Sequence, residues 1–257
     1  VTILLKAMGN STEALLKYFY NVERIMLEEK GIFMAVDEAM IGGKISEDIK
    51  DPKTGEIIVK KGRKLTKLNI KRMADLKIKK VAIHEGDVIG KVLASNVIDS
   101  STGEILLKCN EELSQQGLEL ILEKGIQELL LIHLDEDSSN ASIRDTLLMD
   151  RTESAEDAII EIYRRLRPSN PPTPETAQKF FNSLFFESET YDLSDVGRAK
   201  MNYKLHLDVP TEVTVLRNED ILSAVKYLID LKNGVGDRSV DDIDHLGNRR
   251  VRSVGEL

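Results

Sequence analysis

An internal repeat constrains this chain of 257 residues more than any other feature of its sequence. The motif Asp-x-x-Thr-Gly-Glu-Ile occurs at residues 51–57 and again at 99–105, an offset of 48. Apolar residues follow both motifs in matching order, with one-residue slips in the offset at the two ends of the repeat. Glycine readily adopts positive φ and aspartate bonds to its own backbone, so each motif predicts a tight turn.

Each copy of the repeat predicts the order strand, helix, strand. Two copies are too few for a solenoid, so we expect them to pack on each other as a small two-copy α+β module over residues 41–134. The predicted strands are 56–60, 79–84, 104–108 and 128–133, and the predicted helices are 65–76 and 113–124.

The residues on either side of the module form two further stretches. Residues 1–40 predict a helix that is capped at Asn10 or Ser11 and carries apolar residues to Val22, followed by a strand at 32–36. Residues 135–141 are polar and predict a linker. Residues 142–257 are predicted to be mostly helical. One helix is predicted at 153–166, a second begins after the cap residue Thr173, and a third spans 218–231 and is ended by glycine. The fold class is α+β.

Composition excludes several classes of protein. The chain is 41% hydrophobic and 31% charged and has no run of 18 apolar residues, so we expect a soluble protein with no membrane contact. A single cysteine, Cys109, excludes an intramolecular disulfide and indicates a cytoplasmic location. The net charge of −8 argues against a basic nucleic-acid coat but allows a local cationic groove. The termini, Val1 and Leu257, predict a piece of a longer protein.

No motif in the chain predicts catalysis. Gly43-Lys44 lacks the first glycine of a phosphate-binding loop, and no G-x-S-x-G motif is present. The aspartates at 241–244 lack the spacing of a metal-binding loop, and the four histidines and Cys109 lack zinc-ligand spacing. We therefore predict no catalytic residue, no metal site and no cofactor, and an independent enzyme is the least favoured class.

Two cationic segments are candidates for contact with nucleic acid. Arg164-Arg165-x-Arg167 ends a predicted helix, where the helix dipole alone would stabilise cations. Residues 244–252 combine an aspartate, an asparagine and three arginines. Arginine makes bidentate contacts with phosphates or guanine edges, and aspartate accepts from base amines. The alternative for this second segment is an internal cluster of ion pairs that joins the module to the rest of a larger protein.

The same second segment carries a family resemblance. Val240-Asp-Asp-Ile-Asp-His-Leu-Gly-Asn-Arg-Arg-Val-Arg-Ser-Val-Gly-Glu256 closely resembles a signature of the β subunit of bacterial DNA-directed RNA polymerase. The resemblance covers the whole chain and is loose over 41–134. Further matches, in the family's order, are residues 2–8, 161–168, 171–173, 184–186, 191–198 and 228–234.

The resemblance implies a role in transcription. The chain is similar to part of the second lobe of the β subunit, and residues 41–134 are similar to a lineage-variable insertion on which transcription regulators dock. The implied partners are the β′, α and σ subunits and DNA, especially the non-template strand. The implied nucleotidyltransferase activity belongs to the assembled enzyme, whose Mg²⁺ is expected on the β′ subunit.

The resemblance also implies DNA-binding residues. Ile243, Asp244 and Arg249 match the family positions that line a pocket for a flipped guanine of the non-template strand. Arg167 is expected near non-template DNA, and the further candidates are Arg252, Arg164 and Arg198. Two departures weaken the match: the segment Gly236-Asp-Arg-Ser-Val240 is longer than the usual Gly-Glu-Val, and Thr190 stands where some relatives carry arginine.

A second interpretation remains open beside DNA contact. Residues 41–134 would bind a transcription factor, and the chain would contribute little direct contact with DNA. Salt dependence separates the two, because DNA affinity carried by arginine–phosphate contacts falls steeply as salt rises.

Overall fold

A computed structural model describes residues 1–51, 54–134, 141–236, 238–248 and 253–255 of the protein. The chain divides into two units, Val1–Ala177 and Gln178–Leu257. Helices and small antiparallel sheets make up the described residues, which confirms the α+β class.

The elements of the first unit follow one another as α1 (Thr2–Ala7), α2 (Thr12–Phe19), β1 (Val22–Glu28), β2 (Gly31–Ala35), β3 (Ile49–Lys50), β4 (Ile57–Val59), α3 (Lys67–Asp75), β5 (Lys80–Ile83), β6 (Val92–Leu93), β7 (Val97–Ile98), β8 (Ile105–Leu107), α4 (Gln115–Glu123), β9 (Glu128–Ile132), α5 (Ser142–Met149) and α6 (Ala155–Leu166). Helix α7 (Pro174–Phe185) includes the division between the units, and α8 (Asp195–Leu205) and α9 (Asn218–Asn233) belong to the second unit.

A five-stranded antiparallel sheet organises the first unit, in the order β5-β2-β1-β9-β6. The hairpin of β1 and β2 forms its middle, with Ile25 opposite Met34. Strand β5 pairs with β2 on one side, and β9 pairs with β1 on the other. Each copy of the repeat thus contributes its last strand to one side of the hairpin, so the first two sequence stretches share one sheet.

The two copies of the repeat have the predicted elements. The first copy contains β3, β4, α3 and β5, and the second contains β7, β8, α4 and β9. The predicted helices and strands of both copies are confirmed within the ranges given by the sequence. Gly55 and Gly103 have φ values of 71° and 75°, which confirms that glycine at the two turns serves a left-handed conformation.

The hydrogen bonds of the two copies repeat with a constant offset of 48. The equivalent backbone bonds run from Gly42 N–H to Leu65 C=O and from Gly90 to Leu113 at the start, and from Ile78 to Met73 and from Ile126 to Ile121 near the end, at 2.8–3.2 Å. The structural offset is therefore 48 at these positions, whereas the similar residue types at the two ends of the repeat are 47 and 49 residues apart in the sequence.

One hydrophobic core serves the hairpin and both copies, which confirms that the copies pack on each other. Ile25 and Met34 of the hairpin lie in the same buried cluster as Met73 of α3 and Ile121 of α4. Burial of apolar side chains from both copies in one cluster removes more apolar area from water than either copy could bury alone.

Several elements of the first unit differ from the sequence prediction. Ser11 caps α2, and its Oγ accepts the N–H of Ala14 at 3.1 Å. The helix ends at Phe19, so Val22 begins the unpredicted strand β1. Helices α1 and α5 were not predicted either. The predicted linker falls almost entirely on residues 135–140, which lie outside the described residues.

The second unit is helical. Gly234 ends α9 with φ 65°, as predicted, because glycine adopts the left-handed conformation at a helix C-terminus without a Cβ penalty. Helix α9 begins at Asn218, as predicted, behind the cap residue Arg217, whose N–H donates to the carboxylate of Asp220 at 2.8 Å. Among the described residues, none of the helices combines the length and the apolar character needed to cross a membrane.

Candidate nucleic-acid interface

The described part of the signature forms a loop that is held by its own hydrogen bonds. In this signature loop, residues 241–248, the N–H of Asp244 donates to Oδ1 of Asp242 at 2.9 Å. The side-chain amide of Asn248 donates to the carbonyl of Asp242 at 2.7 Å. The N–H of Asn248 donates to the carbonyl of His245 at 2.8 Å. Asp242 and Asn248 therefore determine the loop's shape and leave the side chains between them to point outward.

Two lysines of α8 hold the two ends of the signature loop. The ammonium of Lys204 bonds Oδ2 of Asp241, and that of Lys200 bonds Oδ1 of Asn248. The hydrogen bond from Lys204 lowers the pKa of Asp241, so this end of the loop stays ionised and paired at neutral pH. Residues four apart lie on one face of a helix. That spacing was the available sequence signal, but α8 was not predicted and the pair was missed.

The predicted guanine-pocket residues are only partly described. Ile243 is 79% exposed, and Asp244 is exposed beside it. Both lie at the outer side of the signature loop. Arg249 and Arg252 lie outside the described residues, so their placement beside this loop stays a prediction.

A tyrosine of α9 supports the segment that leads into the signature loop. The hydroxyl of Tyr227 donates to the carbonyl of Ser239 at 2.9 Å. Its ring lies under two cations, with Lys204 Nζ and the Arg238 guanidinium carbon each 4.9 Å from the ring centroid. Such cation–π contacts contribute about 0.5–1 kcal/mol at exposed sites. Lys204 therefore contacts both the loop and its support.

Arg198 is a structural residue and not an available DNA contact. Its side chain is fully buried and forms an ion pair with the buried Asp220, Nη1 to Oδ2, at 2.8 Å. Its other nitrogens donate to the carbonyls of Val213 and Val215, at 2.8 and 2.5 Å. With its side chain enclosed, Arg198 offers no donor to a phosphate, and the role implied by the resemblance is corrected on this ground. The pair instead joins α8 to the first turn of α9.

Arg164 and Arg167 lie at the end of α6 in the first unit, and both are exposed. The N–H of Arg167 donates to the carbonyl of Tyr163 at 2.8 Å and closes the helix. This position fits a phosphate contact and also fits stabilisation by the helix dipole, so both explanations remain. Thr190, where some relatives carry arginine, donates its hydroxyl to the carbonyl of Ser183 at 2.5 Å.

The first unit contains a buried charged cluster beside a cavity of about 300 Å³. The carboxylate of Glu23, on β1, is 3% exposed and bonds Nδ1 of His133 at 2.8 Å and the ammonium of Lys91. Burial alone would raise the pKa of Glu23, but the bonds from His133 and Lys91 outweigh it and lower that pKa. The cavity lies where the two copies differ. In the second copy, strand β6 pairs with β9. The corresponding residues of the first copy, 44–46, form no strand pairing with β5 among the described residues.

Two further observations concern metal binding and the one cysteine. In the part of the chain that the structure describes, no three His, Cys, Asp or Glu side chains are grouped to hold a metal ion. Burial raises the pKa of the half-buried Cys109 thiol, which makes it a poorer nucleophile. The exposed signature loop with its lysine supports is the candidate site with the clearest chemistry, that of binding.

Comparison with known proteins agrees with the resemblance. The profile of the family described as RNA polymerase Rpb2, domain 2, matches residues 116–252, more than half of the chain. This match includes α4 from its second residue and β9 of the second copy, α5 to α9 and the signature loop.

Full-length relatives point the same way. The DNA-directed RNA polymerase subunit beta of Syntrophus aciditrophicus is 67% identical to this chain over 257 residues. The subunits of the same name from Geobacter metallireducens and Syntrophobacter fumaroxidans are 52% and 49% identical. Each of the three alignments covers 100% of this chain. The chain spans 19% of the length of each relative. On the profile match, the chain belongs to the RNA polymerase Rpb2 domain 2 family.

Proposed function

We propose that this chain is part of the β subunit of a bacterial DNA-directed RNA polymerase and contributes DNA contacts to DNA-templated RNA synthesis. The observation that carries the proposal is the signature loop, whose two ends are held by Lys200 and Lys204 while Ile243 and Asp244 face outward. Val240, Ile243 and Leu246 are 77–79% exposed, and apolar side chains exposed together on one short segment are suited to contact a partner.

The chemistry of these side chains fits an unstacked guanine of the non-template strand. The Asp244 carboxylate would accept hydrogen bonds from base N–H groups, and Ile243 would pack on the apolar face of the base. Arg249 would add the bidentate donor that arginine offers to guanine O6 and N7. Arg167, Arg164 and Arg252 would contact phosphates and add affinity without base preference.

The same proposal assigns nucleotidyl transfer to the assembled enzyme. The β′, α and σ subunits would be the partners in the cytoplasm, and Mg²⁺ would be held by β′.

The test uses polymerase assembled with variant β subunits. Binding is measured on promoter DNA that carries guanine or another base at the recognised non-template position. We expect a guanine preference of about 1–3 kcal/mol that Asp244→Ala or Arg249→Ala abolishes. Lys204→Met should weaken it by loosening the loop. Asp208→Ala, which removes another exposed carboxylate of the second unit, should leave it unchanged. A preference that survives Asp244→Ala contradicts the proposal.

A second candidate function is docking of transcription regulators on residues 41–134. It is favoured by the cavity beside β5, where the first copy is open and the second is closed by β6. If docking were the main role, Lys44→Glu at the edge of this cavity would weaken the effect of a regulator while DNA affinity and its salt dependence stayed the same.

A further inference from the structure

The two copies of the repeat carry opposite charge on the same fold. Residues 60–80 of the first copy contain eight Lys, two Arg and one acidic residue. The equivalent residues 108–128 of the second copy contain two Lys and five Glu. The chain as a whole has a net charge of −8, so the first copy is a concentrated basic region in an acidic protein.

A tight turn and the start of a helix present these cations together. The N–H of Gly62, with φ 76°, donates to the carbonyl of Ile45 at 2.8 Å, and the N–H of Arg63 donates to that of Lys60 at 3.2 Å. Helix α3 begins three residues after the turn ends, behind the Thr66 cap. We name the exposed cations of the turn and the first helical turns the basic face: Lys60, Lys61, Arg63, Lys64, Lys67 and Lys71.

Carboxylates of the chain do not neutralise the basic face. Within the described residues, none of its six cations forms an ion pair. Of the ten cations in residues 60–80, Arg72 pairs with Glu56 at 3.6 Å and Lys80 pairs with Glu28. A charged surface without internal partners is available to an external polyanion.

The fold does not require these cations. The second copy places Glu111, Glu112, Gln115 and Glu119 at the positions of Arg63, Lys64, Lys67 and Lys71, with the same turn and helix. The cations even carry a cost, because Lys67 lies in the first turn of α3, at the positive end of the helix dipole. Lys67 and Lys71 are also like charges four residues apart, which disfavours the helix. A role in binding accounts for charges that folding does not favour.

We propose that the basic face binds the phosphate backbone of duplex DNA without sequence preference. Five of its six members are lysines, which act as point charges toward phosphate and carry no base-reading fork. Residues 60–80 contain no aromatic side chain for base stacking, so a paired duplex fits better than a single strand. The inference rests on the proposed function only in taking DNA as the polyanion; it uses no residue of the signature loop. An acidic protein surface is the competing occupant.

The first measurement is the salt dependence of DNA binding by the assembled polymerase. The basic-face variant carries Lys61→Gln, Arg63→Gln, Lys64→Gln and Lys67→Gln. Removing one cation that neutralises a phosphate should flatten the slope of log affinity against log salt by about 0.9. If all four cations contact phosphates, the slope should flatten by about 3.6 units, so that each doubling of salt reduces the affinity about twelvefold less than in the wild type. The matched control removes four exposed cations elsewhere, with Lys30→Gln, Lys50→Gln, Arg151→Gln and Lys179→Gln, and should keep the wild-type slope.

The second measurement identifies what the face touches. A photo-crosslinking amino acid is placed at position 64 and, as a control, at the equivalent position 112 of the acidic copy. Crosslinks from 64 but not 112 to duplex DNA support the proposal. Crosslinks from 64 only to protein, or a basic-face variant with the wild-type slope, overturn it. Guanine preference and salt slope are also measured for the Asp244→Ala polymerase. This variant should lose the guanine preference and keep the wild-type salt slope, whereas the basic-face variant should keep the preference and lose part of the slope. Failure of this proposal can therefore be distinguished from failure of the proposed function.

Discussion

Replacing Arg198 with methionine should destabilise the second unit more than any surface charge deletion. The substitution removes the only cation paired with Asp220 among the described residues, and both side chains are fully buried. It also removes the donors that satisfy the carbonyls of Val213 and Val215. Removing one partner of a buried ion pair costs about 3–5 kcal/mol, because the remaining charge stays in the interior without compensation.

The exposed ion pair of Arg165 and Glu161 shows how much smaller the loss of stability should be when a surface charge is removed. Arg165 bonds Glu161 one helical turn away at 3.0 Å, but its side chain is 73% exposed. Such a pair contributes about 0.3–0.5 kcal/mol. Arg165→Met should therefore change stability about tenfold less, in kcal/mol, than Arg198→Met.

Hydrogen exchange of the α8 and α9 amides is the suitable assay. A global unfolding curve would average the two units, whereas amide exchange reports the second unit alone. We expect Arg198→Met to lower the protection of these amides by about two to three powers of ten, since 1.4 kcal/mol is a factor of ten. Adding Asp220→Leu removes the unpaired charge and should recover most of the loss. A loss of protection in α8 and α9 no larger than the loss that Arg165→Met causes in the amides of its own helix α6, or no recovery in the double variant, would refute this assignment.

Two further predictions concern the first unit. The ionised carboxylate of Glu23 has a lowered pKa in the folded state, so its stabilisation is present above its ordinary pKa of 4.5 and is lost as the pH falls toward the folded value. Glu23→Gln should therefore flatten the loss of stability in acid, as measured by urea midpoints at neutral pH and below pH 4.5. Lys77 adopts φ 58° at the position where the second copy has Gly125 with φ 68°. A Cβ added at Gly125 would meet no other atom within 4 Å, apart from those of its two neighbours in the chain. Lys77→Gly should raise the free energy of unfolding by about 1 kcal/mol and Gly125→Lys should lower it by a similar amount, since a left-handed backbone penalises a Cβ; equal urea midpoints for both variants would contradict this.

The repeat and its local structure were predictable because they depend on neighbours in the chain. Helical periodicity located α3, α4 and α6, and glycine chemistry located the turns at Gly55 and Gly103. Residue types alone left one-residue slips at the two ends of the repeat. The hydrogen-bond pairing gives an offset of 48 from Gly42 and Gly90 to Ile78 and Ile126.

The candidate site was predictable in part. The signature identified Ile243 and Asp244, which lie exposed on one loop. The supports of that loop were missed, because Lys200 and Lys204 meet it from a helix about forty residues earlier in the chain. Arg198 was misjudged for the same reason: its type fits a phosphate contact, and its burial depends on Asp220, which a sequence pattern does not pair with it.

The internal repeat, the elements of each copy, the turn glycines and the family signature could be predicted from the sequence, because periodicity, backbone preference and motif spacing are local properties. The strand order, the unpredicted strand β1, the burial of Arg198 and the lysine supports of the signature loop are visible only in the folded chain. Those features arise when segments distant in sequence bury apolar area together, and the charged side chains that meet there must then be paired or exposed.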